Sequence, residues 1–345
     1  MIYFSEQGYT FLNNLLSEKK YSMIFVLTDS HTNEFCSGIF LAEIATEIEI
    51  EVIEIEAGEE QKNIATCTEI WTILLDLGAD RKSLIIGLGG GVITDITGFV
   101  ASVFKRGIDF INVPTSLLGM VDAAIGGKNG VDLGNLKNQI GTITLPEMVL
   151  IDSRFLDTLP SEQIRSGYAE MLKHGLIFDK EYWKKLSDIQ NIDFSDLEEL
   201  IMQSVAIKSH ITTEDLTENG IRKTLNFGHT LGHAIESYFL ENPEKTTLLH
   251  GEAIAIGMIL ESFISHKKGF LSQGDYLQIK SVLQNIYPIP EFSQTEVEKI
   301  IELLIFDKKN SHGKINFVLL ENIGQALIDQ TVEKEILLEA FSDLQ

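Results

Sequence analysis

The sequence predicts an α/β domain over residues 1–160 followed by an all-α domain over 161–345. Three observations lead there. Short β-branched runs alternate with helical stripes in the first half, a glycine triplet joins one such run to a helix, and strand signals fade beyond residue 160. A chain of 345 residues is long enough for two cores of ordinary size.

The apolar runs lie at 21–28, 48–55, 84–88 and 110–113, with helical patterns between the first three. That alternation implies a parallel sheet. Ile64, Cys67, Ile70, Trp71 and Leu74 form one helical stripe that Gly78 ends. Glu47, Glu49, Glu51, Glu54 and Glu56 punctuate the second run and read as a solvated surface. Asp157-Thr158-Leu159-Pro160 leads into Ser161, an N-cap with Glu162 in the first turn, and marks the domain boundary. Helices are expected at 161–178, 196–213, 228–240 and 251–267.

Composition narrows the function classes. A net charge of −24 and a pI near 4.7 oppose binding to nucleic acid or anionic lipid. Cys36 and Cys67, without CxxC spacing, form neither a disulfide framework nor a thiolate metal site, which fits a reducing cytoplasm. The first 14 residues lack a basic start and carry Glu6, unlike a signal peptide. The most membrane-like stretch, 83–104, contains Asp95 and the glycine triplet, whereas a span needs about 20 mostly apolar residues.

Gly87-Leu88-Gly89-Gly90-Gly91-Val92 sits between a strand and a helix, the order that lets backbone N–H groups approach a pyrophosphate. Val92 stands where GxGxxG has its third glycine, so a plain tight turn remains open. Gly126-Gly127-Lys128-Asn129-Gly130 is no P-loop, because Asp122 and Asn129 replace required residues, and Asn129-Gly130 reads as a hairpin turn. Lys105-Arg106, Lys128 and Lys137-Asn138 gather near these glycines, as an anion pocket or as solvated loop cations.

His229, His233 and Glu236 share one face of a helix opposite Leu231, Ile235 and Tyr238. This HxxxH pair could hold a metal or simply face solvent. His250 opens a helix apolar all round, where the positive end favours the neutral, metal-ligating imidazole, though read by itself it is better taken as an ordinary capping histidine. Lys208 falls on an apolar stripe and needs an anionic partner or a polar cavity unless it snorkels. Glu170 and Lys173 lie off the stripe of Ile164, Tyr168, Met171 and Leu172, so periodicity places them on the surface.

Five segments together resemble the 3-dehydroquinate synthase family: Gly89-Gly90-Gly91-Val92-Ile93-Thr94-Asp95, Val121-Asp122-Ala123-Ala124-Ile125-Gly126-Gly127-Lys128, Gly134-Asn135-Leu136-Lys137-Asn138-Gln139-Ile140-Gly141, Leu225-Asn226-Phe227-Gly228-His229 and His250-Gly251-Glu252. The resemblance runs from about Asp29 to about Lys309. It implies a dehydroquinate synthase-like fold, with a Rossmann-like first domain, an interdomain active site and a homodimer. It also implies NAD-dependent conversion of 3-deoxy-D-arabino-heptulosonate 7-phosphate to 3-dehydroquinate and phosphate.

By the family's pattern Glu170, His229 and His250 would ligate zinc, with cobalt as an equally suited ion, and His233 would face the substrate. Arg106, Asp122, Lys128, Lys137, Asn138, Lys173, Lys208, Arg222, Asn226, His233, His250 and Lys308 match substrate positions. Of these Lys128, Lys173, Lys208, Arg222, Asn226 and His233 match catalytic ones. Asp29, Glu59, Lys62, Gly90, Gly91, Val92, Asp95, Thr115, Ser116, Asp122, Lys128, Lys137 and Thr158 would contact NAD. The chain departs from the pattern at Ser116, Asn129 and Asp132, which bears on fine contacts. Rival readings are a sugar phosphate cyclase of the 2-deoxy-scyllo-inosose or valiolone type, a metal-dependent polyol dehydrogenase, and a non-catalytic NAD or metal sensor.

Overall fold

The chain enters through β1 (Ile2–Phe4) and α1 (Ser5–Lys19), and then alternates strands and helices. The series is β2 (Ile24–Asp29), α2 (Ser30–Phe35), α3 (Ser37–Ala42), β3 (Ile50–Ile55), α4 (Ile64–Asp76), β4 (Leu84–Gly89), α5 (Gly91–Val103) and β5 (Asp109–Pro114). A hairpin of β6 (Lys128–Leu133) and β7 (Leu136–Ile143) follows, then β8 (Met148–Ile151). The computed structural model describes residues 1–134, 136–188, 196–304 and 315–344, which form two compact units, Met1–Ile164 and Arg165–Gln345.

In the first unit six strands pair in parallel in the order β1-β8-β5-β4-β2-β3. The expected sheet is present, and every residue of β4 is buried, as strands covered on both faces require. Phe25, Ile85, Phe110, Ile93, Ile96 and Val100 share one core between sheet and helices. β3 is an edge strand carrying Glu51 and Glu54, with Val52 exposed. The hairpin expected near Asn129-Gly130 exists, but both residues lie within β6. The turn comes after Leu133, where Gly134 takes φ +58.

The second unit is mostly helical, as expected. It comprises α6 (Ser161–Phe178, whose first turn precedes the division), α7 (Lys180–Ser187), α8 (Leu197–Glu214), α9 (His229–Glu241), α10 (His250–Lys267), α11 (Gln273–Ile286), α12 (Gln294–Leu303) and α13 (Lys334–Leu344). One antiparallel pair, β9 (Phe317–Asn322) and β10 (Gln325–Gln330), interrupts it, an addition that the fading strand signal did not announce. Among the described residues no helix is long and apolar enough to cross a membrane.

The β6–β7 hairpin packs on α5 through Gly98. A Cβ there would lie 1.9 Å from the Asn129 Oδ1. Asn129 cannot swing away freely, because its Nδ2 donates to the Gly127 carbonyl at 3.0 Å and the Thr144 carbonyl at 2.9 Å. Gly98→Ala is therefore expected to destabilise the chain by about 1–3 kcal/mol through overpacking. Urea unfolding of wild type and variant checks this, and equal midpoints would refute the packing account.

Candidate functional site

In the α/β unit the chain leaves β2 toward β3 and leaves β4 toward β5, on opposite sides, so the crossovers diverge at neighbouring strand ends. In open parallel sheets such a divergence opens a crevice at the carboxyl ends of the strands where ligands bind. Asp29 ends β2 and Gly90 follows β4. Gly90 is the N-cap of α5 and supplies no side-chain cap, leaving the helix's positive end open to an anion. Side chains at the glycines would crowd the approach. A Cβ on Gly90 would stand 3.3 Å from Ser116 Oγ, and one on Gly91 3.1 Å from the Ala123 Cβ.

Thr115 donates its N–H to the Gly89 carbonyl at 3.0 Å, and Ser116 Oγ accepts from the Gly119 N–H at 3.1 Å. Asp29 caps α2 by accepting from the Thr32 N–H at 2.8 Å. Burial first, and Asp29 second, push the Cys36 thiol up to about 11, while Thr158 hydrogen-bonds it. Asp29, Gly90, Gly91, Thr115, Ser116 and Thr158 thus line the strand ends, with Val92 in the first turn of α5.

A second group is contiguous with it. Lys62, buried, pairs with Asp95 at 2.6 Å; burial opposes its charge, but Asp95 and Glu59 keep its proton on. Its carbonyl accepts from the Asp132 N–H at 2.8 Å, Asp132 Oδ1 accepts from the Asn138 N–H at 2.5 Å, and Lys137 reaches Glu59 at 3.7 Å. Asp132, one of the three departures, therefore fixes Asn138 in its left-handed conformation (φ 51). Asp122 lies in a π-helical turn near Asp95, and Lys128 begins β6. Arg106 does not join them. It follows the far end of α5, about 20 Å along the axis from Gly91, beside Asp80, Arg81 and Lys105.

In the helical unit α6 supplies Glu170 and Lys173, both fully buried and ion-paired to each other. Periodicity placed them on the surface, and the structure overturns that because every residue of α6 from Ser166 to Ile177 is buried. Around Glu170 stand His229 of α9 and His250 of α10, their Nε2 atoms 3.5 and 3.8 Å from its Oε1. One ring nitrogen from each of His229, His233 and His250 lies within 4.8 Å of the others. The other ring nitrogens are tied back. His229 Nδ1 meets the Phe227 carbonyl at 3.1 Å, and His250 Nδ1 faces Glu236 at 3.6 Å, so both rings turn Nε2 inward.

Such convergence needs helices closer than side chains allow. A Cβ on Gly251 would lie 2.0 Å from the Ser166 carbonyl, and one on Gly257 1.9 Å from the Gly228 carbonyl. Glycine at these points lets α10 touch α6 and α9, and Gly228 itself takes φ +78. Lys208 is buried on α8, and Arg222 and Asn226 lie on the turn before α9. Arg222 donates to the Leu216 carbonyl at 2.8 Å and Asn226 to Glu218 Oε1 at 2.6 Å. Lys308 and Asn135 lie outside the described residues. Glu236 and Glu218 were given no role by the sequence reading. Glu236 was legible, two turns beyond His229 on its face, whereas Glu218 gave no signal.

Burial disfavours charge on His250, yet Glu170 and Glu236 push its pKa up to about 9, reversing the neutral bias expected of a helix start. The sign follows. With no cation bound, His250 stabilises the fold fully below about 6.5, the ordinary imidazole value, and that contribution is lost as pH rises through about 9. In the presence of chelator, unfolding free energy should fall across that window and His250→Gln should flatten the profile; parallel profiles would refute it.

Fold and site define a protein that carries an α/β crevice of the nucleotide-binding type in one unit and a histidine–carboxylate cluster in the other. Residues 52–166 match the 3-dehydroquinate synthase N-terminal family and residues 167–310 the 3-dehydroquinate synthase C-terminal family. The 3-dehydroquinate synthase of Parabacteroides distasonis is 44% identical over 95% of this chain and 93% of its own length. Among solved structures, 2-epi-5-epi-valiolone synthase from Streptomyces hygroscopicus, with NAD+ and Zn2+ bound, superposes with TM-score 0.87 at 26% identity, covering 100% of this chain and 96% of that one. A 2-deoxy-scyllo-inosose synthase complexed with carbaglucose-6-phosphate, NAD+ and Co2+ gives 0.84 at 25% identity, over 99% and 96%. The chain belongs to the 3-dehydroquinate synthase family.

Proposed function

We propose that the chain converts 3-deoxy-D-arabino-heptulosonate 7-phosphate to 3-dehydroquinate and phosphate, as a carbon–oxygen lyase that regenerates its NAD+ in each turnover. The observation that carries this reading is the company of the histidine–carboxylate cluster. In a chain of net charge −24, Lys173, Lys208 and Arg222 are buried in the same helical unit. A substrate bearing both a carboxylate and a phosphate is what such cations suit.

The donor set fits a divalent metal. One carboxylate and two imidazole nitrogens are Zn2+ or Co2+ ligands, and groups about 2.1 Å from one tetrahedral ion stand roughly 3.4 Å apart, close to the spacings around Glu170 Oε1. In this reading Glu170, His229 and His250 hold the ion. The open start of α5, with Gly90, Gly91 and Val92, takes the NAD pyrophosphate. Asp29, Glu59, Lys62, Asp95, Thr115, Ser116, Asp122, Lys128, Lys137 and Thr158 supply its other contacts. When bound, the metal acidifies a substrate hydroxyl and NAD+ carries the transient oxidation that makes the neighbouring C–H acidic.

The chain's own groups do the rest. Arg222, Lys208 and Lys173 neutralise substrate anions, and Asn226, steadied by Glu218, orients a hydroxyl. His233, half-buried beside the two ligating imidazoles, moves a proton at the reacting centre. Lys128, Lys137, Asn138 and Asp122 are the substrate contacts proposed for the α/β unit, with Arg106 set apart from them and Lys308 outside the described residues. No single side chain is assigned as the base that removes the C–H proton, since the substrate phosphate is itself basic. A homodimer in the cytoplasm completes the reading.

The deciding assay supplies the heptulosonate phosphate with catalytic NAD+ and Zn2+ and follows phosphate and 3-dehydroquinate. Equal yields of both are expected. Absence of product from metal-loaded protein overturns the reading, net NADH accumulation marks a polyol dehydrogenase, and turnover of glucose 6-phosphate or sedoheptulose 7-phosphate marks a sister cyclase. Within the site, His250→Ala should lose bound metal, whereas His233→Ala should keep metal and lose turnover. The opposite pattern would exchange their roles.

A further inference from the structure

Glu261 is a buried acid that none of the assignments above uses. It lies on α10, fully buried, three turns beyond His250 and therefore on the same face. Both of its oxygens reach the start of α9. Oε2 accepts from the Gly228 N–H at 2.6 Å and Oε1 from the Leu231 N–H at 3.3 Å. Those are N–H groups that a helix start leaves without intrahelical acceptors, and Gly228 as N-cap offers no side chain of its own. The carboxylate also sits at the helix's positive end, which offsets the cost of burying its charge.

His229 falls between the two N–H groups that Glu261 holds. The start of α9 is pressed on α10 at the same point, where a Cβ on Gly228 would lie 2.5 Å from Met258 Cγ. With Nδ1 tied to the Phe227 carbonyl, the His229 ring has its backbone clamped by Glu261 and its orientation set by Phe227. Its Nε2 then has one direction left, toward Glu170. We propose that Glu261 is a positioning residue of the metal centre, a cap lent by one ligand-bearing helix to the other that holds His229 in register with Glu170 and His250. This rests on the assignment of those three residues as metal ligands.

Glu261→Gln keeps the shape but removes the charge and sets an amide donor against the N–H groups of α9. Competition with a chromophoric chelator should show Zn2+ and Co2+ bound about 10–100-fold more weakly. The visible bands of the Co2+-loaded variant should shift, and NAD+ affinity should stay at the wild-type value. A lower urea midpoint with unchanged metal affinity and an unchanged Co2+ spectrum would reduce Glu261 to a structural cap and overturn the proposal. Should Glu261→Gln fail to fold, Glu261→Asp, which retracts the charge by one methylene, is judged by the same two readings. His229→Ala separates the underlying assignment: if it binds Co2+ like wild type, the ligand set is wrong whatever Glu261 does.

Discussion

A carboxylate sealed from solvent, Glu170, sets the terms for the helical unit. An anion in that position is tolerated only with opposite charge and hydrogen bonds around it. Lys173 comes from the same helix at no topological cost, but His229 and His250 lie far along the chain and must be carried in by α9 and α10. Their backbones have to approach to carbonyl contact. Gly228, Gly251 and Gly257 are thus part of the electrostatics, because without their bare Cα atoms the imidazoles could not reach the acid.

The two units treat helix starts in opposite ways. In the α/β unit α5 begins on glycine with no side chain capping it, which leaves its positive end open to the pyrophosphate proposed above. In the helical unit α9 also begins on glycine, yet its N–H groups are consumed by Glu261. The same residue type at the same helical position leaves one helix start without a side-chain cap and the other capped by an acid from a neighbouring helix. What decides is whether an acid from a neighbouring helix lies beneath it.

The parallel sheet was legible because its central strands are buried on both faces and read as unbroken apolar runs. The β6–β7 and β9–β10 pairs were harder to see, since their burial is uneven and leaves no clean alternation. Periodicity failed at Glu170 and Lys173 for a physical reason. It distinguishes a wet face from a dry one, and α6 has no wet face there. It picked out His229 with His233, which the structure does bring together, but could not add His250, which arrives through a loop and another helix. The resemblance to a known family, carried by segments from both units, is what put Glu170 and His250 forward as ligands, a proposal that local patterns alone would not have made.

The glutamates of β3 bear on how copies of this chain can meet. An edge strand offers a row of unpaired N–H and C=O groups that a second molecule could use to extend the sheet. Here Glu51 and Glu54 lie on the strand, and Glu49 and Glu56 flank it. Antiparallel addition of another β3 would bring carboxylates of the two copies side by side, a pairing that like charges oppose. Growth of a continuous intermolecular ribbon is thus discouraged at this end of the sheet, and the apolar Val52 can remain exposed there without becoming a seed for it.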